Sequence, residues 1–259
     1  MTLEWWQGIL LGLVQGLTEF LPISSSGHLV LAERLVGYVP PGLFFEIAVH
    51  LATLLSVFIA YRERIVELLR GLVAGGKESW SYAGLLLLAS LPAALAGILL
   101  RDYFERTFHS MGALGWQFLF TAAILLSTRW AAPRATGTRV TVTQALLIGV
   151  AQALAIVPAI SRSGATIAVA LWAGLSARVA AEFSFILSIL AIAGSGLLEL
   201  RHLPPGTDYL SVGLIGACIA ALLSGIWAIR WLVKLLEKQQ FHAFAPYCAI
   251  LGVLCLLFL

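Results

Sequence analysis

The sequence predicts an all-α polytopic membrane protein in a single membrane domain, residues 1–259, built from an inverted-topology internal repeat. Six full transmembrane helices and two re-entrant broken helical hairpins are expected. Three observations carry this. Hydrophobic residues make up 60% of the 259 and charged ones only 11%, with a mean hydropathy of +0.96, whereas a water-soluble domain is about a quarter charged. Six apolar runs are each long enough to cross about 30 Å of hydrocarbon. Two further apolar regions are interrupted by Pro, Ser and Gly at matching places.

The N-terminal stretch "MTLEWWQGILLGLVQG" lacks a basic leader and a small-residue cleavage site, so it is expected to stay as structure. It opens the first interrupted region, 5 to 31, broken at "LPISSSGH". Spans are then expected at 43 to 61, 82 to 100 and 112 to 130. The second interrupted region, 143 to 175, breaks at "VPAISRSGAT" and is followed by spans at 182 to 199, 209 to 229 and 243 to 259. Trp80, Tyr82, Trp116, Trp130, Tyr209, Trp227 and Trp231 lie near span ends, as interfacial aromatics do. Irregular backbone at membrane depth survives only where protein or a watery cavity satisfies it, so each break predicts an internal cavity.

A shift of 137 residues places Gly12 on Gly149, Gln15 on Gln152, Ser24 on Ser161, Ser26 on Ser163, Gly27 on Gly164 and Gly37 on Gly174. This is an internal duplication, repeat one about 5–131 and repeat two about 143–259. One hairpin plus three spans reverses the chain's direction, so the copies are expected to be inverted, with a polar site where they meet near the midplane. With the N-terminus outside, 11 of the 16 Lys and Arg residues fall on the cytoplasmic side and 4 outside, among them Arg101, Arg106 and Arg201. The positive-inside bias therefore puts both termini and the opening of the site outside. The basic residues are scattered between apolar runs, which argues against a nucleic-acid partner. Cys218, Cys248 and Cys255 sit in apolar runs without metal spacing and are assigned no chemistry.

In the first break, Gln15 and Glu19 are four apart and share a helical face. Pro22 pushes Leu21 out of the helical region and ends the helix. Ser24, Ser25 and Ser26 then offer capping hydroxyls for a second helix carrying His28 in its first turn. The second break repeats the serines as Ser161 and Ser163 but adds Arg162, whose planar fork suits bidentate phosphate binding. A hydroxyl, an imidazole, a carboxylate and a guanidinium together suit phosphoryl transfer. A carboxylate near both could orient the imidazole or hold a divalent cation. Each serine alone is explained by a bond to its own backbone, but the joint placement in two matched breaks favours a site. Glu46 and His50, also four apart, read as a hydrogen-bonded structural pair or as support for the site, and Glu182, the repeat mate of Glu46, shares that reading.

"QGLTEFLPISSSGHL" and "PAISRSGATI" together resemble the two signature regions of the bacterial undecaprenyl pyrophosphate phosphatases. The resemblance runs on through "FFEIAVHLATLLSVF" and "AAEFSFILSIL" and covers essentially the whole chain. It implies hydrolysis of the C55 carrier-lipid diphosphate at the outer side of the cytoplasmic membrane, recycling the lipid for cell-wall synthesis, and a link to bacitracin resistance. It also implies a divalent cation, Mg²⁺ or Ca²⁺, with Glu19 as its protein ligand. Carried over by motif, Ser25, His28, Glu19 and Arg162 are the catalytic positions and Ser24, Ser26, Ser161, Ser163 and Thr166 the phosphate contacts. Gln15, Glu46 and His50 are supporting residues. Gln15 stands where the family has Glu or Gln, and Ala159 where Gly usually follows the proline.

The expected mechanism has Ser25 attacking phosphorus with His28 as base and Glu19 orienting His28 or holding the cation. Direct water attack and a phosphohistidine at His28 remain alternatives. A polyprenyl-phosphate flippase or transporter is the rival of another class, since it would use the same architecture without a nucleophile. A second lipid-phosphatase family also joins SGH and SR elements, but the histidine it needs after SR is missing from "SRSGATIAVALWAG". The expected partners are the polyprenyl diphosphate, the bilayer and a second copy of the chain in a homodimer.

Overall fold

The computed structural model describes residues 3–40, 44–100, 111–200 and 211–258. Arg101, Arg106, Arg201 and Tyr209, on which part of the expected sidedness and aromatic belt rests, lie outside the described residues. Eleven α-helices run along the described chain: α1 (Trp5–Phe20), α2 (Ser25–Val36), α3 (Phe44–Ala60), α4 (Arg62–Val73), α5 (Lys77–Leu99), α6 (Met111–Ala131), α7 (Val142–Leu154), α8 (Arg162–Trp172), α9 (Ala177–Leu200), α10 (Val212–Glu237) and α11 (Ala245–Phe258). Short 3-10 turns at Ala132–Arg134 and Phe241–Phe244 complete the connections.

Among the described residues four segments are long and apolar enough to cross a membrane: Lys77–Leu99, Ala177–Leu198, Val212–Glu237 and Phe241–Phe258. Phe44–Ala60 with Arg62–Val73, bent by 79° at the break between them, would make a fifth. Among the described residues helix runs through each of the six stretches marked by hydropathy, but the length and apolarity of a full span are met by four or five of them. Burial runs opposite to that of a water-soluble protein. Gln15, Glu19, Thr53, Ser56, Gln117 and Thr121 are buried, while Leu87, Ile98, Leu197, Ile215 and Leu223 are exposed. This inversion fits a hydrocarbon solvent, in which polar groups must find protein partners. The chain is a multi-pass membrane protein.

Packing is reciprocal between the two halves. α1 lies along α10, and its repeat mate α7 lies along α5, the mate of α10. Small residues allow these close approaches: a Cβ on Gly8, Gly12 or Gly16 would collide with the backbone of Gly213, Ala217 or Ala221, and one on Gly149 with that of Ala89. Gly12 and Gly149, 137 residues apart, thus each permit a close helix approach, to Ala217 and to Ala89.

Both interrupted regions are helix, break, helix. Leu21, preceding Pro22, is extended at φ −64, ψ 147 and ends α1. Ser24 then caps α2, accepting from the Gly27 N–H at 3.5 Å, and Ser161 caps α8, accepting from the Gly164 N–H at 3.0 Å.

Candidate active site

The two breaks interlock through their backbones. Ser24 Oγ donates to the Pro158 carbonyl at 2.5 Å, and Ser26 Oγ donates to the same oxygen. In return Ser163 Oγ donates to the Leu21 carbonyl at 3.2 Å. α6 completes the frame: Thr121 Oγ1 donates to the Ala159 carbonyl at 3.0 Å, the Ala159 N–H donates to Gln117 Oε1 at 3.0 Å, and the Ser161 N–H donates to Thr121 Oγ1 at 3.2 Å. Side chains thus satisfy backbone groups that no water reaches.

The breaks meet at Glu19, in the last turn of α1, whose side chain is only 2% exposed. Its Oε2 accepts from Ser25 Oγ at 2.5 Å and from Gln15 Nε2 at 3.0 Å. Its Oε1 accepts from Arg162 Nη2 in a buried ion pair. His50 Nε2, from α3, lies 3.5 Å from Oε2. Ser25 and Arg162 are the first residues of α2 and α8, so two helix N-termini, each the positive end of a helix dipole, are aimed at one region. Arg162 Nη1 is buried and has no hydrogen-bond partner.

His28 is elsewhere. Its Nδ1 is 2.7 Å from the Ser24 carbonyl, which can only accept, so Nδ1 carries the proton. Nε2 is therefore the acceptor for the Tyr247 hydroxyl at 2.6 Å. The ring also stacks on Tyr247 and meets Phe118 edge to face. Both nitrogens are engaged, and His28 makes no hydrogen bond to Ser25 or Glu19. The expected line from Ser25 through His28 to Glu19 is corrected: Ser25 reaches Glu19 directly, and the histidine beside that carboxylate is His50.

Glu46 and His50 are hydrogen-bonded, through the backbone of Glu46, and His50 also reaches the Glu19 carboxylate. His50 Nδ1 donates to the main-chain carbonyl of Glu46 at 2.7 Å, leaving Glu46 Oε2 buried without a partner. Glu182 sits apart, ion-paired with Arg64 at 2.8 Å. The hydroxyls expected to touch phosphate are all engaged within the protein. Ser24, Ser26, Ser161 and Ser163 hold the breaks as described, and Ser161 lies 3.3 Å from Ser163. Thr166 Oγ1 donates to the Arg162 carbonyl at 2.8 Å and accepts from Ser184 at 2.6 Å. Gln15 is where its spacing placed it. Sequence reasoning missed Tyr247, Gln117 and Thr121, which lie far along the chain and carry no local motif.

Glu19 alone does not make a multidentate cation site. Both of its oxygens already accept from protein donors, and among the described residues no group of three or more His, Cys, Asp or Glu could hold a metal ion.

The model of the family described as "Bacitracin resistance protein BacA" matches residues 8–254. The chain belongs to this family. Among its BacA relatives, the undecaprenyl-diphosphatase of Carboxydothermus hydrogenoformans is 42% identical over 253 residues, 95% of this chain and 94% of that one. The protein of the same name from Desulfosudis oleivorans is 40% identical, with 95% of each chain covered. Undecaprenyl-diphosphatase 3 of Bacillus cereus is 38% identical over 98% of this chain and 97% of its own. The matched BacA region takes in both breaks, and with them every residue around Glu19.

Proposed function

We propose that this protein hydrolyses undecaprenyl diphosphate to the monophosphate and phosphate, recycling the carrier lipid for cell-wall synthesis and thereby conferring bacitracin resistance. One observation carries the reading: Arg162 pairs through Nη2 with the carboxylate to which Ser25 donates, and keeps Nη1 buried without a hydrogen-bond partner. A buried guanidinium N–H without an acceptor is costly unless a ligand supplies one, and a phosphate oxygen is the acceptor its geometry suits.

Arg162 and the α2 and α8 N-termini bind the terminal phosphoryl group and neutralise its developing charge. Ser25 Oγ bonds to the terminal phosphorus as the bond from phosphorus to the bridging oxygen breaks, releasing undecaprenyl phosphate. The hydroxyl proton passes to Glu19 Oε2, along the hydrogen bond already present. His50 offers this proton a second seat. With Nδ1–H fixed on the Glu46 carbonyl, its Nε2 and Glu19 Oε2 are two acceptors with room for one proton between them. Water then attacks the phosphoserine, phosphate leaves, and Ser25 recovers a proton from Glu19. A divalent cation would be held chiefly by the diphosphate, because Gln15 and Ser25 occupy Glu19 Oε2 and Arg162 neutralises the carboxylate.

The six-span, inverted-repeat architecture belongs to the same proposal, supported by the reciprocal packing of α1 on α10 and α7 on α5. The excess of Lys and Arg in one set of connections supports termini and a site opening on the outer side of the cytoplasmic membrane. Detergent-solubilised protein tests the chemistry, since without sidedness phosphate release cannot come from transport. Wild type is expected to release phosphate from undecaprenyl diphosphate, and Arg162→Ala is not. Equal release by both would overturn the reading. Rapid quenching with terminally labelled substrate is expected to leave label on Ser25, and label on His28 or on no residue would remove the serine step.

A further inference from the structure

The diphosphate end of the substrate has a place in the two breaks, but its isoprenoid chain also needs one. A cavity of about 230 Å³ lies between α6, α7 and α8. Its floor is made of small, buried residues, Ala151, Ala165 and Ala168, and its walls of bulkier ones that open to the bilayer, Phe120, Leu154 and Trp172. Among the described residues lining it none is charged, and its single polar side chain, Ser127, is bonded to the Ile124 carbonyl and the Trp172 indole N–H. A narrow cleft with a smooth floor and no polar group on offer suits a branched hydrocarbon chain.

The groove shares a helix face with Arg162. Ala165, Val169 and Trp172 follow Arg162 at intervals of three, four and three residues, which keeps all four on one face of α8. The stripe therefore starts at the guanidinium and runs along the helix away from its N-terminus. Ile160, also lining the cavity, is only two residues before Arg162. We propose that this groove holds the isoprene units nearest the diphosphate, with the head group on Arg162 and the chain laid along α8. The proposal rests on the phosphatase reading above. The cavity is too small for the whole chain, so the distal units extend into the bilayer, and selectivity against short diphosphates arises where the first units pack.

The test uses detergent-solubilised full-length protein and two diphosphates, undecaprenyl diphosphate and methyl diphosphate, which carries the head group without an isoprene unit. Val169→Phe and Leu154→Trp narrow the groove from opposite walls. Each is expected to lower kcat/KM for the C55 substrate about tenfold or more, as one or two misplaced carbons in an apolar pocket do. The methyl diphosphate value should stay within about twofold of wild type. Unchanged C55 turnover in both variants would overturn the proposal. Should both substrates lose equally, photo-crosslinking of wild type decides, using undecaprenyl diphosphate with a diazirine on its first isoprene unit. Label on Phe120, Leu154 or Val169 supports the groove. Label confined to other helix faces overturns it and leaves the cavity to an ordinary lipid acyl chain. If wild type releases no phosphate from either substrate, the phosphatase reading fails by itself, and the crosslink still reports whether the groove takes the chain.

Discussion

The two breaks share a scaffold and differ in chemistry. Each has an N-cap serine, Ser24 or Ser161, bonded to the backbone N–H of a glycine three residues on, Gly27 or Gly164. Each has a further serine, Ser26 or Ser163, that donates to the backbone of the other break. At the first helical position, however, one copy has Ser25 and the other Arg162. Glu19 has Ile156 as its counterpart, and His28 has Ala165. The two breaks therefore present a pair of helix N-termini alike in their caps, with a hydroxyl at the first position of one and a cation at that of the other. Only the combination makes a site, because Glu19 needs both its Ser25 and its Arg162 contacts.

Making the copies alike at that position is the harshest way to break the comparison. Arg162→Ser removes the cation from the phosphate and leaves Glu19 buried without its charge partner, a change that commonly costs 3 to 5 kcal/mol or about that. Phosphate release should fall by about 10³-fold or more. Arg162→Lys restores charge but not the fork and should recover only part of the loss. A value for Arg162→Ser within tenfold of wild type would show that the second copy contributes scaffold alone.

Next in size is the carboxylate that the second copy lacks. Glu19→Gln keeps the shape and removes the proton acceptor, so kcat should fall by about 10² to 10⁴-fold while KM changes little. Loss expressed in KM alone would instead make Glu19 a substrate-binding residue.

The two histidines sharpen the comparison further. His50→Gln removes the second seat for the proton and is expected to lower kcat about tenfold, with a changed pH profile and a nearly unchanged thermal midpoint. His28→Gln loses the ties to Ser24 and Tyr247 and should act mainly on stability, by about 1 to 2 kcal/mol. Thermal unfolding and pH profiles of both variants separate these outcomes. The reverse pattern would restore His28 as the base.

What could be read from the residues, and what could not, divides along the same line. Pro22 fixes the end of α1 through local sterics, Gln15 and Glu19 meet because helices stack residues four apart, and Arg162 declares itself through the cost of an intramembrane cation. These are properties of a residue and its near neighbours. That His50 and not His28 lies beside Glu19 is not such a property. Ser25 and His28 are close in sequence, but the His28 ring turns back to the Ser24 carbonyl and is held by Tyr247, 219 residues away. His50 reaches Glu19 because α3 packs beside α1, which no spacing rule contains. The phosphate-contact serines show a related limit, since a serine's position says little about which acceptor takes its proton. Composition gives a membrane bundle, but the number of full crossings depends on bends such as that between α3 and α4.

The smallest expected effect tests a subtler asymmetry between the caps. Ser161 sits at φ −69, an ordinary extended cap, whereas Ser24 sits at φ 70, where a side chain is disfavoured. Its bonds to the Pro158 carbonyl and the Gly27 N–H hold it there. Ser24→Ala keeps the unfavourable backbone and loses both bonds, so it should cost more stability than Ser161→Ala, by about 1 kcal/mol. Ser24→Gly loses the same bonds but tolerates the backbone, and should recover about that difference. At position 161 the order of Ala and Gly should carry no such recovery, because glycine relieves nothing there. Thermal midpoints of the four variants in one detergent read the comparison directly. Equal Ala and Gly values at position 24 would mean that the cap bond, and not the backbone, sets the cost of joining the two breaks.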